Sequence, residues 1–277
     1  MPKLGVVIFG ASSFDNHQDL NNPRFASAVK EFKKVIGDAT LTRGRDTHIL
    51  DLYNKPLLPS DVVTKITDFI GNDYDDFIVY YCGHGDVGRR EGDYRVFLKL
   101  SNRHRRNGTL LHIAGLIRDV QVTLERKRVY FILDTCYSGS AINEMETMDA
   151  GGAEQLIDRS IAEAMEGGHG MAVFAASGRL AVALAKLEDR STLFTGAFTK
   201  CLRDGIALKS ELSSISWWDI RDEIIRSTRD RLGPDAPVPK LTSFSEAAVD
   251  ITRTPYFNNR AYVPRRNLPD DTHWGVS

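Results

Sequence analysis

Apolar residues fall along this chain in short unbroken runs and in helical stripes, and the two kinds alternate. The runs at 4–9, 77–81, 129–133 and 171–176 contain no polar residue. Runs that short read as strands buried on both faces, the habit of parallel sheets. A fifth strand is expected from Thr47 to Leu52. Between them lie stripes at spacings of three and four. Phe25, Val29, Phe32 and Ile36 follow Pro23 and stop at Gly37, and Val62, Val63, Ile66, Phe69 and Ile70 follow Ser60 and stop at Gly71. Both read as helices with a start and a stop signal. Further helices are expected at 113–124, 194–202 and 215–232. Such alternation predicts an α/β fold with a mostly parallel sheet joined by right-handed crossovers. Val96 to Leu98 reads as a hairpin arm and 244–251 as an edge strand. Residues 140–170 are acidic and rich in small residues, with paired glycines and a weak helical pattern, the best linker in the chain. After Arg253 the prolines at 255, 264 and 269 leave no periodicity, and 253–277 reads as an irregular tail.

Composition narrows the class. The 277 residues are 42% hydrophobic and 26% charged, ordinary for one large globular domain. A formal net charge of -1 gives no electrostatic case for nucleic acid as a partner. Three scattered cysteines make no disulfide framework, so free thiols and a reducing cytoplasm are expected. The apolar start is too short for a signal peptide, and no run approaches the ~20 residues of a membrane span.

The chemistry sits at two strand ends. The run at 129–133 stops at Asp134 and continues Thr135, Cys136, Tyr137, Ser138, Gly139. The run at 77–81 continues Cys82, Gly83, His84, Gly85. Each continuation is expected as a tight turn at a carboxyl strand edge, where open α/β sheets keep their chemistry. Parallel neighbours ~4.8 Å apart would bring His84 and Cys136 off the sheet together, a base beside a nucleophile. Alone, Cys136 reads as a small buried hydrophobe and His84 as a turn residue bonded to backbone. Cys82, His84 and Cys136 as zinc ligands lack any Cys-x-x-Cys or paired-His spacing. Ser138 lacks the Gly-x-Ser-x-Gly elbow of a hydrolase, and Gly10-Ala-Ser-Ser lacks the spaced glycines of a phosphate loop.

These two motifs resemble the caspase-like cysteine proteases, and within them the metacaspase and bacterial branch. Tyr80-Tyr-Cys-Gly-His84-Gly is similar to the histidine motif of that family. Asp134-Thr-Cys136-Tyr-Ser-Gly is similar to its Asp-x-Cys-x-Ser-Gly motif rather than to the Gln-Ala-Cys of animal caspases. The separation of 52 residues fits the ~50 of the caspase arrangement. Phe174-Ala-Ala-Ser-Gly178 and Phe194-Thr-Gly-Ala-Phe198 resemble the strand and helix of the small subunit.

The resemblance implies a three-layer sandwich, a mostly parallel central sheet flanked by helices. It implies one catalytic domain over 1–252, large-subunit-like at 1–139, linker at 140–170 and small-subunit-like at 171–252. It implies a cysteine endopeptidase in which His84 acts as base and acid toward Cys136, with the N–H groups of Gly85 and Cys136 as oxyanion hole. No side chain presents itself as a third catalytic member, and Asp86 reads as a solvated turn acid. Asp134 would line the pocket for an Arg or Lys before the cut bond, a carboxylate otherwise unhelpful beside a thiol. Cys82 stands where the metacaspases carry a substrate-binding serine. The acid those enzymes place at the first helix has no counterpart at Ser27-Ala28, leaving Asp15 or Asp19 to supply it. Apart from His169, Arg159 is the one basic residue in the linker and marks a site of self-cleavage. No cofactor or metal is called for, although relatives often need calcium. Protein or peptide substrates, an activating partner, and a regulated bacterial role in defence or cell death are implied. The rival reading is an inactive caspase-like scaffold.

Overall fold

The computed structural model describes residues 1–15, 18–90, 93–100, 109–124, 127–137, 159, 161–163, 165, 170–176, 190–234, 236–244 and 250–264. Strands β1 (Lys3–Gly10), β2 (Asp46–Asp51), β3 (Asp76–Arg90), β6 (Arg128–Tyr137) and β7 (Met171–Ala175) are parallel and lie in the order β2-β1-β3-β6-β7. β9 (Lys240–Phe244) closes the β7 edge antiparallel. β4 (Asp93–Leu100) and β5 (Thr109–His112) add an antiparallel arm to the far half of β3.

Alternate residues of the central strands feed two cores, the period-2 rule applied to a sheet buried on both sides. Val7, Phe9, Phe77, Val79, Val129 and Phe131 pack with α2 (Pro59–Ile70) and α3 (Ile113–Thr123). Val6, Ile8, Ile78, Tyr80, Tyr130 and Ile132 pack against α1 (Pro23–Ile36), α4 (Leu193–Asp204) and α5 (Trp217–Leu232). The result is the expected three layers with a mostly parallel sheet in the middle.

Local signals account for most helix ends. Asn22 caps α1 ahead of Pro23, Thr192 caps α4, and Ser216 with Asp219 forms a capping box on α5. The aromatic Trp217 is buried against Tyr130 and Phe198, as its helical position suggests, while Trp218 lies under Arg221 and Arg253.

Several boundaries differ from the sequence reading. β3 and β6 do not turn after their apolar runs; both continue as strand through His84 and Cys136. Past its apolar run β3 stays a strand because β6 and β4 supply its backbone partners, and Cys82 and Val87 remain buried in the two cores. The edge strand is Lys240–Phe244, ahead of the expected 244–251. Beyond Arg253, Tyr256 and Phe257 are fully buried, and β10 (Phe257–Asn258) pairs with β8 (Ser214–Ile215). Three prolines hid a segment that fills the second core.

Two neighbouring basic residues, Lys127 and Arg128, are fixed by hydrogen bonds. Lys127 donates to the Ile70 and Asn72 carbonyls at 3.0 and 2.7 Å. Arg128 binds both oxygens of buried Asp76 at 2.6 and 3.0 Å. Arg45 approaches the same carboxylate at 3.5 Å, donates to the Tyr256 carbonyl and stacks on that ring. Burial drives the Asp76 pKa up, and the two guanidiniums oppose it.

Candidate active site

β3 and β6 run side by side, so the register decides which residues meet. Cys82 pairs with Asp134, His84 with Cys136 and Gly85 with Tyr137. The two residues chosen from sequence are therefore register partners on neighbouring strands ~4.8 Å apart. The structure places Cys136 through its backbone; its thiol, like Ser138 and Gly139, lies outside the described residues.

The imidazole of His84 is half-buried and held from three sides. Its Nε2 lies 2.8 Å from the Leu20 carbonyl oxygen, which can only accept, so Nε2 carries the proton in that bond. In the neutral ring Nδ1 then holds the lone pair. Phe25 of α1 meets the ring edge-on at 5.0 Å and Phe14 lies at 5.9 Å. Below it, the Tyr81 hydroxyl lies 2.6 Å from the His84 carbonyl and 2.9 Å from that of Lys99, tying the peptide to the β4 arm.

The loop that brings Leu20 here starts at Gly10. Its φ is +122°, and a Cβ there would sit 2.1 Å from the Cys82 carbonyl, so only glycine lets β1 turn away beside β3. Gly83 answers a similar need: a Cβ would fall 2.8 Å from the Tyr81 hydroxyl and 3.1 Å from the Ala11 carbonyl. Asn54 and Asn21 accept from the Ser12 and Phe14 amides and hold the loop in shape. Asp15 and Asp19, the acids considered for the pocket, are exposed on this loop.

Asp134 is 2% exposed and faces the start of α4. Its Oδ2 accepts from the hydroxyls of Thr192 and, at 2.6 Å, Thr195. The Tyr80 and Thr195 hydroxyls lie 2.8 Å apart; since Thr195 donates to Asp134, it accepts from Tyr80. Hydroxyl dipoles thus run Tyr80 to Thr195 to Asp134, with Thr192 joining from the helix cap. Burial raises the Asp134 pKa, and the two threonine hydroxyls pull it partly back. Cys82 beneath is fully buried, its Sγ 3.8 Å from the Phe25 carbonyl, packed on α1.

Asp86 is no solvated turn acid. It lies on β3, accepts from the Val87 amide and pairs with Lys99 at 3.1 Å, both side chains mostly covered. Arg159 is helical and exposed, 3.6 Å from Glu163, while Ile161 and Met165 on the same segment reach the first core. Ser160 lies outside the described residues, as does most of 140–170. Among the described residues no three His, Cys, Asp or Glu side chains gather as metal ligands would. No helix among them is long and apolar enough to cross a membrane.

Sequence reasoning missed the Leu20 carbonyl, which leaves no side-chain signature, and the pair Thr192 and Thr195. The threonines had a local signal, a helix cap, but nothing tied them to a carboxylate 58 and 61 residues earlier.

A family model described as "Caspase domain" matches residues 6–228. No curated protein sequence matches the chain. Among solved structures, a structural genomics target from Geobacter sulfurreducens superposes with a TM-score of 0.59 at 12% identity, covering 92% of this chain and 98% of its own. Caspase-1 from Spodoptera frugiperda gives a TM-score of 0.54 at 14% identity, covering 88% of this chain and 90% of its own. Identities that low speak for the fold alone.

Proposed function

The chain belongs to the caspase-domain family, and from that premise we propose that it is a cysteine endopeptidase working through His84 and Cys136. The observation that carries the reading is their shared register position, with the Leu20 carbonyl holding Nε2 so that Nδ1 is left to act as base. In this mechanism Nδ1 takes the thiol proton and the Cys136 thiolate attacks the scissile carbonyl. The N–H groups of Gly85 and Cys136 receive the oxyanion. The imidazolium gives its proton to the leaving amine, and water, deprotonated by the same ring, then releases the acyl group. The backbone carbonyl at Leu20 takes the place of a third side chain.

Asp134 would select Arg or Lys before the cut bond. The present geometry supports this only through a rearrangement, because Thr192 and Thr195 already occupy Oδ2 and cover the carboxylate. A substrate cation would displace the α4 cap from it. Cys82, wholly buried, would act by supporting Asp134 rather than by touching substrate. A regulated cytoplasmic role in defence or cell death, switched by a partner, by calcium or by a cut after Arg159, extends the reading and rests on family resemblance.

A library of fluorogenic peptides varied at the residue before the bond, together with a thiol-directed covalent probe, tests the proposal. Cleavage after Arg or Lys and labelling confined to Cys136 are expected. No cleavage of any peptide and no labelling would return the chain to the scaffold reading.

A further inference from the structure

Along α4, beside Glu31 of α1 and Ser227, Thr228 and Arg231 of α5, runs a groove that begins at the Thr192 cap. Gly196 and Ala197 are among the residues that line it, and its volume is about 370 Å³. Four cations line it, Arg190, Lys200, Arg203 and Arg231, against one acid, Glu31 of α1. Lys200 pairs with Asp204 at 3.2 Å, but that pair is exposed and easily exchanged. Arg190 and Arg203 have no carboxylate partner among the described residues.

The end of the groove at the α4 start is a built corner. Ser191 is only 8% exposed, and its Oγ is buried without a hydrogen-bond partner. A buried hydroxyl in that state is uncommon, because losing water without gaining a partner costs free energy. It stands one residue before the Thr192 cap, where the first amides of a 12-residue helix point outward with the positive end of its dipole. Side chains on a helix lean toward its N-terminus, so Lys200 and Arg203 can reach back along the groove toward this corner.

We propose that the groove binds a small polyanion of the phosphate class, one oxyanion seated among Ser191 Oγ, the Leu193 and Phe194 amides and Arg190, and a second meeting Lys200 and Arg203. Guanidinium, hydroxyl and helix amides are supplied by the consecutive residues 190–194, donors with no carboxylate among them, and such a set suits an oxyanion. The groove shares Thr192 with the Asp134 contact but contains neither His84 nor Cys136, and the assignment stands whether or not the chain is a protease.

Calorimetric titration of the full chain with inorganic pyrophosphate tests it. Saturable binding that weakens as salt rises is expected. Ser191→Ala should weaken it about tenfold or more, a charge-assisted hydrogen bond lost, and the exposed Arg203→Gln should do likewise with an unchanged melting temperature. A nucleoside triphosphate should bind as inorganic tripolyphosphate does. No saturable binding at millimolar pyrophosphate, equal affinity in wild type and Arg203→Gln, binding that requires the nucleoside, or tighter binding of an unphosphorylated Asp/Glu hexapeptide would each overturn the assignment.

Discussion

Replacing Asp134 by asparagine removes one buried charge at constant volume, and the structure gives opposite signs for its effects on stability and on specificity. In the folded chain burial raises the Asp134 pKa above its unfolded value. The native state therefore holds a proton that the unfolded chain has released between those two values. Stability falls as pH rises through that window, and the penalty is complete above the folded pKa. An asparagine in its place never ionises, and its amide can still exchange hydrogen bonds with Thr192 and Thr195 once their hydroxyls rotate. Asp134→Asn should thus be at least as stable as wild type at pH 8 and lose that advantage toward pH 4, read as melting temperature against pH. Specificity should suffer. A carboxylate facing a substrate cation is worth roughly 1.5–3 kcal/mol, which lowers kcat/KM for an Arg peptide by roughly ten- to 150-fold. The same peptide with norleucine in place of Arg should be cut as before. An unchanged Arg preference in Asp134→Asn would refute the pocket assignment. A variant much less stable than wild type at pH 8 would show that the carboxylate is an anchor for α4.

Other outcomes follow from the same geometry. Cys136→Ala should abolish cleavage with the melting temperature retained, and His84→Ala should cost nearly as much, since such a pair acts as a unit; turnover by either variant refutes the mechanism. Self-cleavage between Arg159 and Ser160 should be slow, because Ile161 and Met165 anchor that helical segment in the core and must leave it first. Intact mass over time checks this: a cut that is immediate, or that persists in Cys136→Ala, contradicts it. Asp76→Ala strands Arg45 in the core with its carboxylate gone and should cost about 3–5 kcal/mol in urea unfolding; a loss below about 1 kcal/mol would show the cluster to be dispensable.

What could be read from the sequence was whatever the core enforces locally. β1, β3, β6 and β7 announce themselves because both faces are buried, and α1 because Pro23 and Gly37 bracket its apolar stripe. The pairing of His84 with Cys136 was legible as far as two strand ends and a spacing allow. The continuation of both strands was not, because residues 82–90 are held by backbone pairing to β4 and β6, which side-chain periodicity does not record. Leu20 escaped for the same reason: its contribution is a carbonyl. Tyr256 and Phe257 were missed because a two-residue strand has no period to detect.

Those last two residues set a clock on the molecule's own synthesis. Tyr130, on the strand that carries Cys136, stacks on Trp217 and meets Tyr256 edge-on at 4.8 Å. Arg45, near the start of the chain, closes on the Tyr256 carbonyl across 211 residues. A nascent chain that has already produced His84 and Cys136 lacks the aromatic floor beneath their strands until residue 257 has left the ribosome. Contacts so distant in sequence also form slowly once they are available. The packing beneath the strand edge is thus completed only when nearly the whole chain has been made.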